Sequence, residues 1–590
     1  MPVDGSRGLW MDRTVSRAGL APLLGVGLVA AGVLAVGITA AAPPPLPGLP
    51  DAGPFVRAAL PGVRTVSEIA AVLVVGALLA ASVLIPVGSD RKTAVRFAGR
   101  AAGWWAVLSA AMVVLTVSDA LGQPLSGVLS VLAPMVGRFS VALAWLVVAN
   151  IAALVWIGTR MDVRPVILLA ATLVGIAPVA LTGHSSSGGD HDIASDSLAL
   201  HVVAMSVWIG GLVALLLIAR RRYAVSAAVR YSAIALACWS TMFVTGVVNA
   251  SLRLSLTELF TRYGVLVLAK TAAIILLGVF GYLHRQHTLA RLARGEPRAF
   301  LRLGSVEVLV MLLTVGIAVG LSRTPAPVGP RTRLSATEVL VGFPLPHPPS
   351  LSQVLSDWRP DLVFGTAAVA AAGWYLYRLN RRTDPWPIER TAAWLVGCAL
   401  LFVATCSGLG KYEPAVFSAH IGVQLLVGLL VPLLLARGKP LALAGPLAIW
   451  VPRPDVAAYA AAVIPVVLYG FGIYGGIAGQ HWARLVVLGS SLIAGLALFA
   501  RTSRTPVVTV ALAHGLCGLV LLCRETALGR GFYTRLAFDW PHDLLADQVY
   551  AGWLMMATSA ALACYAVLST RRAERVPVEP LVRAPARTSP

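Results

Sequence analysis

Charge is scarce in this chain, and acidic charge is scarcest. Asp and Glu number 26 in 590 residues, and charged residues make up 12% of the total, against roughly 25% in ordinary globular domains. That shortage excludes an ordinary soluble fold, and the 58% hydrophobic share fits a chain whose solvent is lipid. Cysteine is sparse too. Cys238, Cys398, Cys406, Cys517, Cys523 and Cys564 fall mostly inside apolar segments without C-x-x-C spacing, which excludes a disulfide framework and a zinc knuckle. Walker A, G-x-S-x-G, H-E-x-x-H and C-x-x-C-H sequences are missing, so no enzyme and no organic cofactor is expected. The formal net charge of +21 would suggest nucleic acid in a soluble protein. Here it reflects arginine-rich cytoplasmic loops, and no nucleic-acid partner is expected.

What is present is a succession of apolar runs of about 20 residues, the length that crosses a bilayer's hydrocarbon core. The first eight lie near 19–41, 65–87, 101–118, 139–159, 164–182, 197–219, 231–251 and 263–283. Eight more lie near 303–322, 361–379, 391–409, 415–436, 457–479, 482–500, 506–523 and 548–568. They predict an all-α polytopic integral membrane protein of about 16 transmembrane helices in two bundles. Arg7, Arg13 and Arg17 before the first run resemble the start of a signal peptide. The run is longer than a signal's apolar region, and it is read as a retained span.

Basic residues set the orientation. Arg91 to Arg100, Arg220 to Arg222 and Arg285 to Arg302 occupy alternate connections, so those connections are cytoplasmic by the positive-inside rule. Both termini are then cytoplasmic, in a multi-pass protein of the cell membrane with the lipid bilayer as its surroundings. The longest outer connection carries PAPVGP and FPLPHPPS, a proline-rich boundary. The organisation expected is a four-helix N-terminal region at 1–160 without an assignable motif and a membrane domain at 161–323. An extracytoplasmic linker at 324–357, a second membrane domain at 358–570 and a basic cytoplasmic tail at 571–590 follow.

In this topology His184, His191, His201, His347, His420, His481 and His542 fall toward the outer face. His184 and His191 flank a polar loop that opens into a helix bearing His201 and Met205, four residues apart and so on one face. Imidazole with thioether sulfur suits copper better than magnesium or calcium. His420, His481 and His542 each lie near the outer end of a span and are a second candidate ligand group. Charge within spans is costly and usually functional. Lys270 lies deep in its helix with Asn249 placed to bond it, and Glu307 lies beside Arg302 as an interfacial pair.

Two resemblances cover most of the chain. HVVAMSVWIGGL at 201–212, RYSAIAL at 230–236, TGVVNA at 245–250, RYGVLVLAK at 262–270 and RLGSVEVL before LSRTPAP resemble the CopD copper-resistance membrane family. That resemblance implies copper movement across the cytoplasmic membrane, with Asn249, Lys270 and Glu307 on the family's polar positions. WRPD at 358–361, FSAHIGVQLLVGLLVPLLLARGKPL at 417–441, the His481 helix and DQVYAGWLMM at 547–556 resemble the CtaG-type cytochrome c oxidase assembly family. Gln424 stands where that family usually has a second histidine, and an amide is a poor copper ligand. The fusion is similar to actinobacterial oxidase-assembly proteins. It implies a protein that takes up or relays copper, Cu(I) favoured, and supports oxidase assembly. Its partners would be oxidase subunits or an extracytoplasmic copper chaperone. A metal-free assembly scaffold and a transporter of another substrate are the alternatives.

Overall fold

The structure, a computed structural model, describes residues 17–41, 50–182, 189–327, 334–444, 454–500 and 504–574. The expected loop residue His184 lies outside them. Each of the sixteen apolar stretches is a helix, and no strand occurs among the described residues. The chain divides into two compact units, Met1–Arg333 and Leu334–Pro590.

The first unit holds α1 (Arg17–Ala40), α2 (Gly53–Leu84), α3 (Ser89–Leu121), α4 (Ser140–Arg160) and α5 (Pro165–Ala180). It continues with α6 (His191–Ile218), α7 (Ala224–Ser251), α8 (Arg262–Ala293) and α9 (Pro297–Ser322). The second holds α10 (Phe364–Asn380), α11 (Ile388–Cys406), α12 (Phe417–Arg437) and α13 (Pro454–Pro465, continued by Val466–Gly470). It ends with α14 (His481–Phe499), α15 (Arg504–Cys523) and α16 (Leu544–Glu574). Among the described residues twelve helices are long and apolar enough to cross a membrane, and shorter apolar helices occupy Leu24–Ala40, Pro165–Ala180 and Tyr459–Gly470.

The helices start and stop where local chemistry dictates. Pro165 and Pro297 open α5 and α9, at the position where proline's missing N–H costs nothing. Thr261 caps α8 by accepting from the Gly264 N–H at 3.2 Å, and Gly122 ends α3 in the left-handed conformation (φ +61°).

Packing follows the logic of lipid rather than water. Leu236, Phe243, Val244 and Val247 of α7, and Val265, Ile275 and Val279 of α8, point outward. Association in lipid cannot rely on the hydrophobic effect and instead uses close backbone approach at small residues. Gly76 of α2 and Gly210 of α6 meet backbone to backbone, so a Cβ on either would overlap the other helix's main chain. In the second unit Gly495 of α14 lies against the Gly428 carbonyl of α12, which a Cβ on Gly495 would overlap.

Polar pairs sort the ends of the first unit. At one end Arg323 grips Asp119 at 2.7 and 3.0 Å, and Arg64 joins Glu68 at 2.8 Å and Ser322 at 3.1 Å. At the other, Asp90 receives the Tyr223 hydroxyl at 2.7 Å and faces Arg221 at 3.3 Å. Residues 334–357, read from sequence as part of a linker, pack into the second unit. Val341, Phe343 and Leu345 are buried, Trp540 Nε1 donates to the Leu345 carbonyl at 3.1 Å, and Tyr412 donates to the His347 carbonyl at 2.8 Å.

Candidate functional sites

In the first unit His201 and Met205 lie one turn apart on α6, both half-buried. The Thr245 hydroxyl of α7 donates to the Thr241 carbonyl at 2.7 Å, so its oxygen accepts from His201 Nδ1–H at 2.9 Å. That tautomer leaves a lone pair on Nε2, the state in which histidine ligates a metal while its other nitrogen is held by a hydrogen bond. His191 is the first residue of α6, ten residues from His201 and therefore about 15 Å away along the axis. The two imidazoles serve different positions.

Two pairings expected from sequence differ in the structure. Asn249 donates to the Ser197 hydroxyl and, at 3.0 Å, to the Thr245 carbonyl, which bolts α7 to α6 beside His201 rather than reaching Lys270. Lys270 instead lies within electrostatic reach of Glu68, Arg253 and His201. Glu307 faces His284 at 3.1 Å, while Arg302 is exposed. Arg302 sits five residues away on the same helix, and that offset points it off the buried face that Glu307 occupies.

The second unit holds a buried charged lattice that no local motif announces. Asp361 caps α10 by accepting from Val363 N at 3.0 Å and Phe364 N at 2.6 Å. Its other oxygen accepts from Arg484 Nη1 at 2.8 Å. Arg484 Nε donates to Glu413 at 2.6 Å, and the second Glu413 oxygen meets His420 Nδ1 at 2.6 Å. His420 Nε2 lies 2.9 Å from the Tyr469 oxygen, and Tyr469 donates to Gln424 Oε1 at 2.7 Å. Tyr474 stacks on the His420 ring at 4.5 Å.

Proton accounting fixes the roles. With the Gln424 oxygen turned to Tyr469, the single phenolic proton is spent on Gln424, so Tyr469 accepts from His420 Nε2–H. The Glu413 carboxylate meets Nδ1, so both ring nitrogens of His420 are engaged. Two carboxylates (Asp361, Glu413) share the Arg484 guanidinium, and Glu413 also meets His420, which is how buried charge is tolerated. Burial pushes the Glu413 carboxyl up, but Arg484 and His420 outweigh it and hold the group below its usual range. In this arrangement both His420 nitrogens already have protein partners.

His542 Nε2 lies 3.4 Å from Asp547. Asp547 in turn accepts from Phe417 N at 2.8 Å and Ser418 N at 3.1 Å at the start of α12. The helix ends carrying His420 and His542 are therefore joined through Asp547. His481 is half-buried at the start of α14, three residues before Arg484. His514, at mid-helix in α15, is bonded to the Val510 carbonyl at 2.8 Å. Among the described residues no group of three or more His, Cys, Asp or Glu side chains could hold a metal ion.

Sequence reasoning missed Arg484 and Glu413, and met Asp361 only as the last residue of WRPD. The faint signal was Glu413 and Arg484, each a charge at the edge of an apolar run. It also left His284 aside as a cytoplasmic residue.

Bundle, inside-out packing and buried charge pairing define an all-α, multi-pass integral membrane protein. Three family models match it in succession. Copper resistance protein D-like, N-terminal domain, matches residues 55–191, Copper resistance protein D matches 225–321, and Cytochrome c oxidase caa3 assembly factor matches 372–572. The matches thus run in the order of a CopD-type region followed by a CtaG-type region, and the first match reaches into the N-terminal region where no motif was legible. Uncharacterized proteins of Mycobacterium bovis and Mycobacterium tuberculosis are each 26% identical over 564 residues, covering 86% of this chain and 83% of their own. An uncharacterized Mycobacterium leprae protein is 24% identical over 454 residues, covering 69% of this chain and 67% of its own. No solved structure matches the chain.

Proposed function

We propose that this protein handles copper at the cytoplasmic membrane and supports cytochrome c oxidase assembly. The observation that carries the reading is the presence, in one polypeptide, of copper-resistance and oxidase-assembly family matches. In the first unit the Nε2 lone pair of His201, with the Met205 sulfur one turn away, receives copper, Cu(I) favoured by the soft sulfur. His184 and His191 collect the ion ahead of this position from the outer face, where an extracytoplasmic copper chaperone would deliver it. Few ligands at each position keep affinity modest, so the ion can be passed on.

The second unit acts differently. Its His420 is committed to Glu413 and Tyr469, which favours a scaffolding role toward oxidase subunits for that half, with His481 and His542 at its rim as the remaining candidate ligands. The test is the copper content of the purified full-length protein, alone and with alanine at His184, His191 and His201. Loss of copper in the triple variant is expected, and unchanged copper refutes the ligand assignment. An oxidase defect in a deletion strain that added copper rescues supports supply. A defect that copper cannot rescue supports scaffolding alone.

A further inference from the structure

The first unit contains a second place where ligand-type atoms converge, at the end remote from His201. His284 opens a π-helical turn, His284–Thr288, within α8. Such turns interrupt α-helices frequently at functional positions. Here the wider turn brings the Thr288 hydroxyl under the His284 ring, 2.6 Å from Nδ1, while that hydroxyl donates to the His284 carbonyl at 3.3 Å. The threonine proton is committed to the carbonyl, so Nδ1–H donates to the hydroxyl oxygen, and in the neutral ring Nε2 bears the lone pair. This is the same tautomer logic as at His201.

Nε2 faces Glu307 Oε2 of α9 at 3.1 Å. The two atoms do not meet in hydrogen-bond geometry, and neither has a hydrogen-bond partner among the described residues. Both residues are buried, His284 at 8% and Glu307 at 3% exposure. Phe300 covers the imidazole at 5.0 Å, and the hydroxyl of the buried Tyr231 is spent on the Trp208 carbonyl at 2.5 Å. Two lone-pair atoms held side by side in a dry setting repel unless a cation joins them. A shared proton would draw them into a hydrogen-bond line, which they do not form. A metal ion suits the spacing. Two ligands with bonds of about 2.0–2.1 Å, subtending about 100°, stand about 3.1 Å apart.

We propose that His284 Nε2 and Glu307 Oε2 form a binding site for a divalent transition-metal ion at the end of the first unit opposite His201. Imidazole with carboxylate is a borderline-to-hard set that favours a divalent first-row ion, Cu(II) most tightly. Thr288 is the positioning residue that fixes the tautomer. The separation of the two ends can be read on α7. Thr245 marks His201, and Ser232 marks the His284 end by accepting from Arg285 Nε at 3.0 Å. Thirteen residues of helix lie between, about 20 Å, so one ion cannot bridge the sites. The copper identity of the ion rests on the proposed function, whereas the existence of the site does not.

The test uses the full-length protein in detergent, stripped of metal and titrated separately with Cu(II) and Co(II). The readouts are the copper EPR spectrum, the cobalt visible spectrum and the metal-induced rise in thermal unfolding temperature. The wild type is expected to show coupling to one imidazole nitrogen. Glu307→Gln and His284→Gln are each expected to weaken binding at least about tenfold, and His201→Ala is expected to keep the His284-dependent signal. Should His284→Gln fail to fold, the near-isosteric Glu307→Gln and the tautomer-releasing Thr288→Val decide. Copper binding insensitive to Glu307 and Thr288 overturns the site while leaving the copper reading intact. Cobalt bound through the pair with no copper bound supports the site and overturns that reading. No ion bound by the wild type overturns the site and leaves the pair holding only a proton.

Discussion

Replacing Arg484 by methionine removes the cation that two buried carboxylates share. The guanidinium makes one charge-assisted bond to Glu413 at 2.6 Å and one to Asp361 at 2.8 Å. At about 1.5–3 kcal/mol for each hydrogen bond to a charged group, the pair is worth about 3–6 kcal/mol. Breaking a buried ion pair from one side independently suggests about 3–5 kcal/mol. Asp361 retains its two backbone caps and Glu413 retains His420, so the lower half of that range, about 3–4 kcal/mol, is expected. The assay is reversible unfolding of the detergent-solubilised protein, followed by a spectroscopic probe in the second unit. A double-mutant cycle with Glu413→Gln isolates the coupling, which should reach about 1.5–3 kcal/mol, the upper range for residues in one network. A loss below about 1 kcal/mol for Arg484→Met, or additive effects in the cycle, would refute the lattice.

Further outcomes follow from the same contacts. Tyr469→Phe deletes the hydroxyl between His420 and Gln424 and strands two buried polar atoms, at about 1–3 kcal/mol each. The measured loss of unfolding free energy should exceed that of a lipid-facing change such as Val244→Ala. Gly210→Ala forces a methyl group into the α2 backbone, and overpacking of this kind costs about 1–3 kcal/mol. Its unfolding temperature should fall, and Gly76→Ala should not restore it. Arg323→Ala breaks a pair whose side chains are each 29% exposed. Exposed pairs of that sort contribute about 0–1 kcal/mol, so its effect should be several-fold smaller than that of Arg484→Met.

The helices were legible in the sequence because each apolar run is long, and length together with hydropathy is a local property. The sites were legible only in part. His201 and Met205 stand out because their spacing of four is a helical contact. The Asp361–Arg484–Glu413–His420 lattice does not, because Arg484 meets residues 71 and 123 positions away and no periodicity connects them. Glu307 was visible as a charge in an apolar helix, but its partner depends on how α8 packs against α9 and on a π-helical turn that no residue pattern signals. Gln424 is the converse case. It looked like a lost ligand, and in the fold it is the acceptor that lets Tyr469 turn its oxygen to His420.

The touching glycines of α2 and α6 carry a mechanical consequence. Where main chains abut, neither helix can slide or roll without collision, since packed interiors deform little. Gly210 lies partway along α6, between His201 and the helix end at Ile218, so the contact acts as a fulcrum. Rocking about it swings the His201 end one way and the Ile218 end the other, linking the two faces of the bundle like the arms of a seesaw.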